Sequence, residues 1–139
     1  MKKITVAVVL DDREGMMLFG KRQSRDRVMI SEFVTSNEGK EIFISPFSKL
    51  IFEPHPNVKI VENPFLESTD GSACFIENFL LSPYLDMIET LIIYRWNRRY
   101  PSDVRFDVNV DEAGYKLQSV IEYEGSSHDK ITKETYTRS

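Results

Sequence analysis

Apolar residues recur along this chain in short blocks set between polar turns, and two blocks organise the rest. Ile4 to Leu10 is apolar nearly throughout, the pattern of a central strand covered on both faces. Ser82 to Asp107 is the densest apolar and aromatic run. Its first half carries helix-start signs, with Ser82 as N-cap, Pro83 at the first helical position and Asp86 and Glu89 close behind. Its second half holds Leu91-Ile92-Ile93-Tyr94, a continuous block suited to a buried strand. A helix running on through Asn97 would leave the strands that follow without a neighbour. The pattern therefore predicts a short helix from Pro83 to Ile88 and a strand from Thr90 to Trp96.

The remaining blocks fill in around these two. Asp11 to Gly15 is a polar turn, and Met16 to Phe19 is a second short apolar piece. From Ser24 or Arg25 a helix is predicted, with Met29, Ile30, Phe33 and Val34 on its buried face and Asn37 to Gly39 as its stop. Ile42-Phe43-Ile44 reads as a strand, Ser45-Pro46 as the start of a short helix through Phe52, and Val58 to Val61 as the next strand. Asn63-Pro64 breaks that strand, and the turn Asp70-Gly71-Ser72 leads into another from Ala73 to Ile76. Val104 to Val108 and Leu117 to Tyr123 alternate as half-buried strands do, and Ile131 to Tyr136 reads as a final strand or a short helix. The expectation is one α/β domain over residues 1–139, with a single mixed, mostly parallel sheet and antiparallel C-terminal strands.

Composition narrows the classes. A net charge of -4 argues against a general polyanion binder. Cys74 is the only cysteine, so no intramolecular disulfide forms, and a reducing cytoplasm is the expected compartment; within its apolar strand Cys74 should be a buried, inert thiol. Met1-Lys2-Lys3 before an apolar run imitates a signal peptide, but Asp11 and Asp12 end the run early and no small-residue cleavage site follows. No window holds the roughly 18 apolar residues of a membrane span, so no membrane partner is expected.

The outline resembles the dihydrofolate reductase fold, through Val6-Ala7-Val8-Val9-Leu10-Asp11-Asp12 followed by Gly15-Met16, and through Pro101-Ser102-Asp103-Val104-Arg105-Phe106-Asp107, Tyr115-Lys116-Leu117-Gln118-Ser119 and a closing Glu134-Thr135-Tyr136. That resemblance implies NADPH as cofactor and a carboxylic acid near the first helix as the group holding the substrate, and Asp26 stands near the matching place. It also implies glycine-tight phosphate turns, and the sequence departs from them. Ser45-Pro46-Phe47-Ser48-Lys49 stands where the family has a glycine, an arginine and a threonine, and Glu77-Asn78 stands where it has a double glycine. Side chains there would crowd a pyrophosphate and the Glu77 charge would repel it. The expectation is accordingly no bound cofactor. The chain also resembles a group of small bacterial proteins sharing RQSRDR, YRWNR and GSSHDKITKE type segments, some labelled ribonuclease Z. That label requires a His-rich ligand set for two zinc ions, whereas only His55 and His128 are present.

The candidate chemistry is thin. Asp26 reads as a first-turn carboxylate favoured by the helix dipole, with a pocket acid as the alternative. Lys21, Arg22, Arg25, Arg27 and Lys49 form a candidate set for a small anionic ligand, or a solvated surface. Arg95-Trp96-Asn97-Arg98-Arg99-Tyr100 has the makings of a base-stacking surface, but acidity favours Trp96 and Tyr100 as core or interface anchors. A strand bearing Tyr94 and Trp96 at the sheet edge would suit a homo-oligomer interface. His128 before Asp129 reads as part of a polar loop and His55 as a turn residue. Three functions follow: a repurposed or degenerate reductase-like domain binding a small anionic ligand or a protein partner; a divergent NADPH-dependent reductase using Asp26; and a nucleic-acid partner using Arg95 to Tyr100.

Overall fold

The computed structural model of the chain describes residues 2–138. In chain order the strands are β1 (Ile4–Leu10), β2 (Gly15–Leu18), β3 (Lys21–Arg22), β4 (Ile42–Ile44), β5 (Val58–Ile60), β6 (Ala73–Phe75), β7 (Ile88–Arg95), β8 (Val104–Arg105), β9 (Lys116–Tyr123) and β10 (Ile131–Thr137). Helix α1 (Arg27–Ser36) lies between β3 and β4, and a single turn, α2 (Pro64–Glu67), lies between β5 and β6. Two 3-10 turns, Pro46–Ile51 and Ser82–Met87, follow β4 and precede β7.

Every residue of β1 is buried, because it lies between two parallel neighbours: Val6 is opposite Cys74 of β6 on one side and Leu91 of β7 on the other. The seven-stranded sheet runs β5-β4-β6-β1-β7-β10-β9. It is parallel from β5 to β7 and antiparallel across β7, β10 and β9, as the sequence predicted. β3, β2 and β8 form a small separate sheet.

The two-residue period of β1 divides the core. Ile4, Val6, Val8 and Leu10 face Phe65, Leu91, Ile93 and Tyr115, whereas Ala7 and Val9 face Met29, Ile30 and Phe33 of α1. On the α1 side Phe33, Phe52 and Phe75 meet edge-on or tilted, with ring centroids 5.4–6.2 Å apart. Cys74 is buried at the centre, and burial pushes its thiol up to about 12.

The 82–107 run resolves into a 3-10 turn and a strand, close to the predicted boundaries. Its cap is different from the predicted one. Ser82 caps nothing; instead the Asp107 carboxylate, from beyond the strand, accepts from Leu81 N at 3.0 Å and Ser82 N at 2.9 Å. That recruitment also explains why β8 stops at Arg105, short of the predicted Val108: the chain turns away to bring Asp107 across. Asn63 does more than end a strand, since its side chain accepts from Phe65 N and caps α2. β10 is a strand, which settles the earlier ambiguity. The predicted half-buried alternation of Leu117 to Tyr123 fails, because seven of the eight β9 residues are exposed. β9 is the outermost strand, and only its Tyr123 end reaches the core. The expectation that Tyr94 and Trp96 mark a sheet edge is also overturned: β7 is paired on both sides, and Tyr94 and Trp96 are 0% and 2% exposed.

Removing the Phe33 ring tests the α1 side of the core. Phe33→Ala should lower unfolding free energy by about 3–5 kcal/mol in a urea titration; a loss below ~1 kcal/mol would mean that the cluster is not packed as described.

Candidate functional site

Helix α1 begins at Arg27 because Asp26 is held extended (φ -149°, ψ 120°) and its carboxylate accepts from Met29 N at 3.0 Å. The same carboxylate accepts from Ser126 N (3.0 Å), Ser126 Oγ (3.3 Å), Ser127 N (2.8 Å) and the His128 ring at Nδ1 (3.1 Å). A side chain a hundred residues upstream thus closes the 125–128 turn. Gly125 permits the approach, since a Cβ there would lie 2.3 Å from Asp26 Oδ2. Burial alone would raise the Asp26 carboxyl, but the N–H groups of Ser127, Ser126 and Met29 and the His128 ring outweigh it and bring the group down to about 2.

His128 lies in the loop between β9 and β10, as read, but its side chain is buried. Its ring stacks on Trp96 with centroids 4.3 Å apart and planes 18° from parallel. The other ring nitrogen, Nε2, lies 3.2 Å from the Ser24 hydroxyl and 2.9 Å from the Tyr100 hydroxyl. Tyr100 is in turn fixed by Asp11, which accepts from its backbone N at 3.0 Å. Hydroxyl, imidazole and carboxylate stand in the order of a nucleophilic relay. This relay is closed, however: the His128 side chain is 1% exposed, Tyr100 shares Nε2, and neither Ser24 nor His128 lines the adjoining cleft. It joins four chain segments.

That cleft, of about 460 Å³, opens beside the cluster. Ile30, Leu50, Ile51 and Phe52 give it apolar lining, and Arg25, Asp26, Arg27, Glu53, Ser126 and Ser127 polar lining. Arg25 and Arg27 are exposed, and among the described residues neither is in an ion pair. The other basic candidates lie elsewhere. Lys21 and Lys49 are exposed and outside the cleft. Arg22 is used internally: it donates to Glu77 through Nε (3.0 Å) and Nη2 (2.9 Å), donates to the Phe47 carbonyl and lies over the Phe47 ring.

Within Arg95 to Tyr100 the structure separates the cations from the aromatics. Arg95 pairs with Glu14 and Glu134, both at 3.0 Å, Trp96 is inside, and only Arg98 and Arg99 remain exposed with Asn97. Among the described residues, no three His, Cys, Asp or Glu side chains are grouped to hold a metal, and no helix is long and apolar enough to cross a membrane.

No protein family and no curated protein matches the chain in sequence. Its backbone is similar to a dihydrofolate reductase from Enterococcus faecalis complexed with NADP(H) and RAB-propyl, with a TM-score of 0.71 over 98% of this chain and 96% of that one, at 9% sequence identity. The fold is that of dihydrofolate reductase. At that identity the likeness speaks for the fold alone.

Open sheets bind ligands at the carboxyl ends of their parallel strands, and here the ends of β4 and β6 are filled. Glu77, 5% exposed, takes the Arg22 fork and the Ser48 hydroxyl (2.8 Å), and the Asn78 side chain accepts from Ser45 Oγ at 3.1 Å. A pyrophosphate placed there would meet a carboxylate and displace a buried ion pair. The side chains present do not fit a dinucleotide on this part of the dihydrofolate reductase fold.

Sequence reasoning found Asp26 and missed His128, Ser24, Trp96 and Tyr100 as its company. The one available signal was that RQSRDR, YRWNR and GSSHDK stand out as separate segments; the structure brings all three to this point.

Two outcomes follow for the cluster. Asp26 has a depressed pKa, so its contribution to stability is full above the ordinary value of 3.8 and is lost as pH falls toward about 2. Unfolding free energy in that window should fall by about 2 kcal/mol in the parent, and Asp26→Asn should lack this component; equal slopes in the two proteins would contradict the assignment. Gly125→Ala should destabilise by about 1–3 kcal/mol, read as a lower Tm, and a neutral result would show that Asp26 does not hold the turn this closely.

Proposed function

We propose that this chain is a dihydrofolate reductase-like fold repurposed as a binding domain, taking a small anionic ligand in the cleft beside α1. The observation that carries this reading is the position of Arg25 and Arg27, two arginines without carboxylate partners among the described residues, on a cleft also lined by Ile30, Leu50, Ile51 and Phe52. A guanidinium free of partners is available to bind a phosphate or carboxylate in two-point fashion. The Ser126 and Ser127 side chains supply neutral polar groups beside them, and Ile30, Leu50 and Phe52 suit an apolar portion of the same ligand. Glu53, on the same cleft, disfavours a ligand with more than one anionic group.

A divergent NADPH-dependent reductase with Asp26 as its acid has weaker support. Both Asp26 oxygens already accept from the chain's own donors, and Glu77 with Arg22 fills the sheet end where phosphates would lie. The nucleic-acid reading has lost its stacking platform, since Trp96 is inside. A cytoplasmic location fits one buried thiol without a disulfide partner.

A calorimetric and thermal-shift panel decides among these readings, using inorganic phosphate, aromatic phosphate esters, aromatic carboxylates, NADPH and folates. The expected result is binding of a singly anionic aromatic ligand, with Arg25→Ala and Arg27→Ala each weakening it about 10-fold or more, the equivalent of about 1.5–3 kcal/mol for a charge-assisted contact. Binding of NADPH with no response to the small anions would transfer the case to the reductase.

A further inference from the structure

We propose that β9 is the interface of a two-fold homodimer, in which the outer strands of two copies pair antiparallel and join their sheets into one. β9 is the long unpaired edge of the sheet: eight residues, with β10 on one side and none of the other described strands on its other side. Leu117, Val120 and Ile121 are 52%, 50% and 47% exposed. Soluble proteins protect such edges with proline, inward charge, a covering helix or brevity. The opposite edge follows that rule, since β5 has only three residues and follows Pro56. β9 contains no proline and has apolar side chains on both faces. By its pairing with β10, Leu117 and Val120 lie beside Tyr136 and Glu134 on one face, and Ile121 lies beside Lys133 on the other. The register shift is confined to the Leu117 end and leaves 119–123 regularly paired.

The distribution of charge along β9 selects a second copy as the occupant. Lys116 stands at one end, Glu122 and Glu124 at the other, and the middle is neutral. Antiparallel pairing about an axis near Val120 sets each Lys116 against the acidic end of its partner, twice, by symmetry. A parallel pairing would oppose like charges at both ends. Cross-strand apolar contacts then cover Val120, Leu117 and Ile121 from their open side. This inference does not depend on the anion cleft, which lies at the start of α1.

Sedimentation of the full chain over a concentration series reads the association. The expected result is a monomer–dimer equilibrium that Val120→Lys shifts to monomer, because two ammonium groups then meet across the axis, while the circular dichroism spectrum stays that of the parent. Charge reversal gives a second, independent reading. Lys116→Glu alone and Glu122→Lys with Glu124→Lys alone should each be monomeric, and an equimolar mixture of the two should dimerise. A parent that stays monomeric throughout, a Val120→Lys dimer as tight as the parent, or a mixture that fails to associate would overturn the proposal.

Discussion

The Asp26 carboxylate is the single contact on which most of the site depends. It starts α1, closes the 125–128 turn and orients His128, and it does so with oxygens buried among five donors. A buried carboxylate with fewer donors would be costly, and one donor fewer exposes that cost. The segments it joins are far apart in sequence, so each holds the others in place. His128 carries the constraint onward to Ser24, Tyr100 and Trp96, and Asp11 fixes Tyr100 from the end of β1. The network behaves as a rivet through the first helix, the end of β7 and the approach to β10.

This arrangement explains why the open part of the molecule is where it is. Chain-derived side chains close two regions: Ser126 to His128 press on Asp26, and Glu77 with Arg22 fills the ends of β4 and β6, where open parallel sheets take ligands. Between α1 and the 50–53 segment the cleft stays open among the described residues, with its two arginines. Polarity also differs between the regions. The plugged places are paired internally, whereas Arg25 and Arg27 on the cleft are in no ion pair among the described residues.

The fold was largely legible because its signals were local and dense. Ile4 to Leu10 announced a central strand through unbroken apolarity, and the β-branched block at Leu91 to Ile93 outweighed the helix signs at Ser82 and Pro83. What failed depended on partners distant in sequence. Nothing near Leu117 to Tyr123 says that the strand is last in the sheet, so alternation was taken for half-burial. Nothing near Ser82 says that Asp107 will cap the turn. The site was less legible for the same reason: Asp26 could be picked out as a helix-start acid, but His128 belongs to it through a contact spanning 102 positions. The run of cations from Lys21 to Arg27 looked uniform in sequence, and three-dimensional placement divided it into an internal ion-pair partner, Arg22, and two cleft residues.

The Arg22–Glu77 pair has a consequence for how this chain can change. Both side chains are largely buried, at 20% and 4% exposure, and removing either one leaves its partner as an uncompensated charge, a loss of about 3–5 kcal/mol for buried pairs. A glycine at position 77 would give room for a phosphate but strand the guanidinium; an alanine at position 22 would strand the carboxylate. Opening the sheet end therefore requires both substitutions together, and each single step descends into instability of a size comparable to a typical domain's whole margin. The pair thus ties positions 22 and 77 together, since neither can change alone without leaving a buried charge unpaired.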